Sequence, residues 1–174
     1  MRPREVVRVG VTGHRPGRIV DLVSAQLAVV RALEELKRRA PKMVVVSGGA
    51  TGFDQWMARE CAARRVPFEL VLPCQPELFT AYWRMENRMM LAELCRRAVD
   101  VQVIHEDLTP SEVTPAIYHA RNAAIVRMSD WVVAFWDGRQ HGGTWQTIEH
   151  ALSEGKVVFN AFAGFERVAL EVAA

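Results

Sequence analysis

The segment "RNAAIVRMSDWVVAFWDGRQHGGTWQTIEHALSEGKVV" spans Arg121–Val158. It reads as the end of a helix, a strand, a glycine turn, a second helix and the start of another strand. "WVVAFW" (Trp131–Trp136) is β-branched and aromatic with little polar interruption, as suits a strand buried on both faces. Gly142 and Gly143 follow it and lead into a helix expected from Thr144 to Glu154. Glycines placed there let backbone N–H groups meet an anion at a helix N-terminus. Such a strand–loop–helix–strand unit belongs to a parallel α/β sheet.

The same alternation extends outward in both directions. Strands are expected at Glu5–Val11, Lys42–Ser47, Phe68–Pro73, Asp100–His105 and, last, Lys156–Phe162. Helices are expected at Ile19–Arg39, from Gly52 to about Arg65, at Tyr82–Ala98, and from Pro115 to Met128 with Thr114 as N-cap. "RMENRMML" (Arg84–Leu91) is expected to turn its methionines to the core, with Trp83, Arg84 and Arg88 as candidates for a flap over the sheet end. The fold class is α/β. Residues 1–174 are expected to form a single Rossmann-like domain, a mostly parallel sheet with helices on both faces. Ligands of such sheets bind beyond the carboxyl ends of the strands, near a topological switch point.

Composition narrows the function. Half of the 174 residues are hydrophobic and the net charge is +2, which suits an anionic small ligand and does not demand nucleic acid. The three cysteines, Cys61, Cys74 and Cys95, make no C-x-x-C pair, and the five histidines show no ligand spacing. No metal, cofactor or disulfide is expected. The charged N-terminus does not read as a signal peptide, and no apolar run reaches the ~20 residues that span a bilayer. A cytoplasmic protein without membrane contact is expected.

The loops at the strand ends hold the candidate site residues. "TGHRPGR" brings Gly13, His14 and Arg15, either to an anion or to a solvated turn. "SGGATGFDQ" brings Ser47, Gly48, Gly49, Thr51, Gly52 and Asp54. Thr51 and Asp54 also fit a capping box, so Asp54 stands between capping and binding. Arg121 suits a phosphate, with Asn122 beside it; a solvated helix charge is the alternative. Gly142, Gly143 and Thr144 form a second anion cradle. Glu149 lies five residues after Thr144, past the reach of capping, and is either a site carboxylate or a surface residue.

These motifs resemble the SLOG superfamily, which joins the lonely guy phosphoribohydrolases, the DprA-type DNA-processing proteins and the YpsA-like proteins. "VTGHRP", "SGGATGFDQWMA" and "RNAAIVRMSDWVVAFWDG…GGT" follow in the YpsA-like order, with Trp83, Glu86 and Asn87 as a further match. "YHARNAAIVRMSD" (Tyr118–Asp130) is similar to the segment of the lonely guy enzymes that carries their catalytic arginine, and implies that role for Arg121. Their glycine motif falls on His141–Glu149 and implies a catalytic Glu149. His141, Trp145 and Gln146 depart from it, and the bulk of Trp145 implies binding without vigorous hydrolysis. The expected ligand is a nucleotide or a nucleotide-derived phosphorylated molecule, with N-glycosidic phosphoribohydrolase activity as the associated chemistry. The alternatives are a sensor without catalysis and a DprA-like single-stranded nucleic-acid binder. The second is disfavoured by the lack of a basic run interleaved with aromatics. Apolar residues along the first helix imply a homo-oligomer.

Overall fold

A computed structural model describes residues 6–169. Strands β1 (Val7–Gly13), β2 (Met43–Ser47), β3 (Phe68–Cys74), β4 (Asp100–His105), β5 (Trp131–Phe135), β6 (Val157–Asn160) and β7 (Glu166–Val168) form one sheet. Its order is β4-β3-β2-β1-β5-β6-β7. All neighbours pair parallel except β6 and β7. The helices are α1 (Leu22–Arg39), α2 (Phe53–Ala63), α3 (Pro76–Phe79), α4 (Met85–Arg97), α5 (Pro115–Met128) and α6 (Gly142–Ser153).

The chain steps outward from β1 to β4, then returns through α5 to place β5 on the other side of β1. The switch point therefore lies between β1 and β5. There the following loops diverge and leave a crevice.

Strand residues divide between the two faces with a period of two. Val45, Leu70, Leu72 and Val133 pack in the core that includes Ala25, Leu33 and Leu36 of α1, Met57 and Ala58 of α2, and Leu91 and Leu94 of α4. Val46 and Val71 pack with Ala124 and Ile125 of α5, while Val132, Ala134 and Val158 meet Ile148 and Ala151 of α6. Both faces are covered, which is why these strands read as continuous apolar runs.

The boundaries differ from expectation for local reasons. Helix α1 begins after Asp21, whose Oδ1 accepts the Ser24 N–H at 3.0 Å, so Ile19 and Val20 stay outside it. The expected Tyr82–Ala98 helix starts only at Met85, preceded by the short α3. Met85 and Met89 are exposed, contrary to the core-facing expectation, while Met90 packs partly buried against the core beside the buried Leu91 and Leu94. The last strand is not Lys156–Phe162, because β7 follows as an antiparallel edge. The start of the expected Glu5–Val11 strand lies partly outside the described residues. Among those described, no helix is long and apolar enough to cross a membrane.

Candidate phosphate-binding site

The crevice between the ends of β1 and β5 is a cavity of about 330 Å³. Thr12, Gly13, His14, Arg15 and Arg18 line it from the loop after β1, and Ala50 and Asp54 from the β2–α2 segment. Tyr118, Arg121 and Asn122 come from α5, and Gly142, Gly143 and Thr144 from the first turn of α6. Helix α6 opens without a side-chain cap from His141. Its first N–H groups lack intrahelical acceptors and carry the positive end of the helix dipole. Gly142 has φ +84°, a left-handed conformation that favours glycine, and Arg18 Nη1 lies 3.0 Å from where its Cβ would stand.

Arg121 is buried. Its Nη1 donates to the Gly48 carbonyl at 2.5 Å and its Nε to Asn122 Oδ1 at 2.8 Å. Its guanidinium lies 5.8 Å from the centre of the Phe79 ring. A Cβ at Gly48 would overlap this guanidinium, so the glycine makes room for the arginine. Burial lowers the Arg121 pKa, and the nearby Asp54 charge works in the opposite direction.

Asp54 sits in the first turn of α2 and is also buried. Its Oδ1 is buried without a hydrogen-bond partner. Burial pushes its pKa from 3.8 up to about 6, against the attraction of Arg121 and Arg15 and a hydrogen bond from the Gly13 backbone. The cleft thus holds several cationic donors and one acid whose pKa burial raises toward the neutral range.

A second pocket of about 480 Å³ adjoins the first and shares Arg15 and Tyr118 with it. Its walls include Phe79, Tyr82, Trp83, Pro110 and Val113. Phe79 meets Trp83 edge-on at 4.7 Å and Tyr118 at 6.1 Å, while Tyr82 is fully exposed. A larger groove of about 810 Å³ runs between α1 and residues 161–165. Glu35 there already pairs with Arg38 and Arg39, so that groove offers less free charge to a ligand.

The profile of the DNA recombination-mediator protein A family matches residues 18–169, well over half of the chain. The chain belongs to this family. It has the fold of solved members: TM-score 0.63 and 19% identity to DNA processing protein A (DprA) from Streptococcus pneumoniae, covering 89% of this chain and 50% of that one. For DNA processing protein A from Helicobacter pylori, described for its single-stranded DNA binding mode, the values are 0.63, 21%, 88% and 65%. The protein TM1055 matches with TM-score 0.54 and 16% identity, over 87% of this chain and 72% of that one. The chain therefore spans less than two thirds of either DprA. No curated protein matches it significantly. The SLOG resemblance agrees with the family and with these folds.

Within this family fold the candidate residues separate by role. Gly13, His14, Arg15, Asp54, Arg121, Asn122, Gly142, Gly143 and Thr144 meet at the cavity. Ser47 does not line it; its hydroxyl donates to the Asp54 carbonyl at 2.8 Å and accepts the Gly49 N–H at 3.1 Å, joining β2 to α2. Gly49 turns toward Leu91 and Gly52 packs on the His14 backbone, so both serve close packing. The capping box does not form: Gly52 is the N-cap and no side chain caps α2. Thr51 is absent from the lining. His14 lines the cavity, but its Nε2 accepts the Asp137 N–H at 3.2 Å and so anchors the loop that leads to α6.

Glu149 is exposed and absent from the cavity lining. Trp145 does not crowd the cradle; it stacks on Trp136 with ring centres 5.1 Å apart. Sequence reasoning missed Arg18, Tyr118 and the aromatic pocket. Asn160 was also missed: it accepts the Trp136 N–H and donates to the Trp136 carbonyl, fixing the loop after β5. Among the described residues no group of His, Cys, Asp or Glu could hold a metal ion.

Proposed function

We propose that the cleft binds phosphorylated nucleotide units without transforming them, and that single-stranded DNA is its macromolecular ligand. The observation that carries this reading is the convergence of Arg15, Arg18, Arg121 and the uncapped α6 N-terminus on one cavity. That cavity opens beside Arg15 and Tyr118 onto an aromatic pocket. Phosphate suits the first and a stacked base the second. Family membership and the single-stranded DNA of the H. pylori relative support a strand as ligand. Exposed Tyr82 and Arg15 share the lining of that pocket with Trp83 and Tyr118. Aromatic and basic groups are thus interleaved in space, where no single segment interleaves them. The exposed position of Glu149 supports binding over glycosidic hydrolysis.

A free nucleotide is the second reading, favoured by the unpartnered oxygen of Asp54. The exposed Val20, Leu22, Val23 and Leu27 at the start of α1 support a homo-oligomer. Fluorescence anisotropy with labelled oligo-dT, and calorimetry with AMP, test both readings. Binding that weakens steeply with salt supports a strand. Arg121→Ala is expected to cost about 1.5–3 kcal/mol of affinity for either ligand. Wild-type affinity in that variant, or no binding of either ligand to the wild type, refutes the proposal.

A further inference from the structure

We propose that a cavity walled by Phe135 and Phe162 seats a second base of the bound strand, so that a phosphate in the cleft is flanked by one base on each side. The inference rests on the strand-binding reading above. This cavity, of about 350 Å³, adjoins the cleft through Arg18, which lines both. The aromatic pocket adjoins the cleft through Arg15 and Tyr118, and the two base pockets have no residue in common. They lie on opposite sides of the switch point. Phe79, Tyr82 and Trp83 follow β3, whereas Phe135 ends β5 and Phe162 follows β6, with β1 between those strands in the sheet. A single 3₁₀ turn joins the two arginines, the Arg18 N–H donating to the Arg15 carbonyl at 3.0 Å. One short turn thus carries a cation to each pocket while both arginines line the cleft.

Phe162 is the stacking surface. It is 49% exposed, yet its position is fixed from behind. Its N–H donates to Asn160 Oδ1 at 3.1 Å, and its ring packs on Phe135 with centres 5.1 Å apart. Phe135 is backed in turn by the Phe53 ring at 5.3 Å. A half-exposed ring on a rigid support lets a base stack with little ordering cost. Ile19 adds a further apolar wall. Both carboxylates at the rim are engaged: Asp21 caps α1, and Asp137 lies 3.7 Å from the Arg139 guanidinium. Arg18 is left to meet the strand's phosphate. The larger groove along α1 also reaches Phe162, but it shares no residue with the cleft. Of the exposed apolar residues at the start of α1, Val20 borders the cavity, while Leu22, Val23 and Leu27 stay outside its lining.

Fluorescence anisotropy compares labelled oligo-dT with an equally long strand of abasic sites, on wild type, Phe162→Ala, Phe162→Tyr, Tyr82→Ala and the double alanine variant. The two strands carry the same phosphates, so their difference reads the bases alone. Phe162→Ala is expected to weaken oligo-dT on the order of 10-fold, the scale of one stacked base, and to bind the abasic strand as wild type does. Phe162→Tyr keeps an aromatic face and is expected to retain the oligo-dT affinity. Tyr82→Ala is expected to cost a similar factor, and the two losses to multiply in the double variant, since each concerns a different base. Should Phe162→Ala not fold, Phe162→Leu takes its place, because it keeps apolar packing on Phe135 without the aromatic face. Oligo-dT affinity unchanged in Phe162→Ala overturns the inference and leaves the strand reading standing. So does an equal loss on both strands, or a tyrosine variant as weak as the alanine one. A double variant no weaker than the weaker single one also overturns it, for the two rings would then hold one base. Failure of wild type to bind oligo-dT refutes the strand reading itself, and the second base with it.

Discussion

Asp54→Asn is expected to stabilise the ligand-free protein at neutral pH. The Asp54 pKa rises from 3.8 to about 6. That is about two units at ~1.36 kcal/mol each, so ionised Asp54 costs the fold on the order of 3 kcal/mol at pH 7. The shift is net of attraction to Arg121, so the loss of that attraction is already counted. Because the folded-state pKa is raised, the group's contribution is fully present below 3.8 and is lost as pH rises through about 6. Asparagine cannot ionise and keeps the neutral side chain at every pH. The stability gap between variant and wild type should therefore open between about pH 4 and 6 and stay constant above that window. In a chain of this length the gap corresponds to roughly 5–10 °C in melting temperature. Thermal unfolding of both proteins across that pH range measures it. A gap that does not change with pH, or an asparagine variant less stable at pH 7, refutes the assignment of Asp54 as a carboxylate strained by burial.

Glu149→Gln should leave both nucleotide affinity and stability within about 0.5 kcal/mol of wild type, as expected for an exposed residue off the cavity; a large loss of affinity would return Glu149 to the site. Chelator should leave the melting temperature unchanged, and a drop of many degrees would reveal a structural metal. Alkylation of Cys61 should require unfolding, because burial pushes its thiol up to about 12. Val23→Glu with Leu27→Glu should leave the fold intact and shift sedimentation toward monomer, since both side chains are already exposed on α1; an unchanged oligomer, or a monomeric wild type, refutes the α1 interface.

The fold was legible because its signal is local. Val44–Val46, Leu70–Leu72 and Val132–Ala134 are apolar in succession, which only strands covered on both faces sustain. The elements read less well were decided by contacts distant in sequence. Edge strand β7 is short and, among the described residues, pairs with β6 alone, so Glu166–Val168 has no apolar run to announce it. Met85 and Met89 of α4 stay exposed, because Met90, Leu91 and Leu94 fill the space available against the core. Hydrophobicity gives a helix its candidates for burial, and the shape of the neighbouring layer decides among them.

The candidate site divided along the same line. That Gly142 and Gly143 stand at the cleft was readable because glycines after a strand end lie at the carboxyl edge of the sheet, where Arg121 joins them from α5. The residues that turned out to be packing, Gly49, Gly52 and Ser47, carry the same mark; what separates them is which neighbour stands over each, Leu91 or the His14 backbone. Asp54 illustrates the opposite case. Three residues after a threonine, it looked like half of a cap, and its importance emerges only from what fails to reach it, a donor for Oδ1. No single stretch of the chain interleaves basic and aromatic residues, for a related reason. Arg15, Tyr82, Trp83 and Tyr118 come from three separate segments and become neighbours only when the loops after β1 and β3 and the start of α5 meet above the sheet. A binding surface built at a topological switch point is drawn from loops far apart in sequence, so its charge and aromatic pattern belongs to the fold and not to any one stretch of chain.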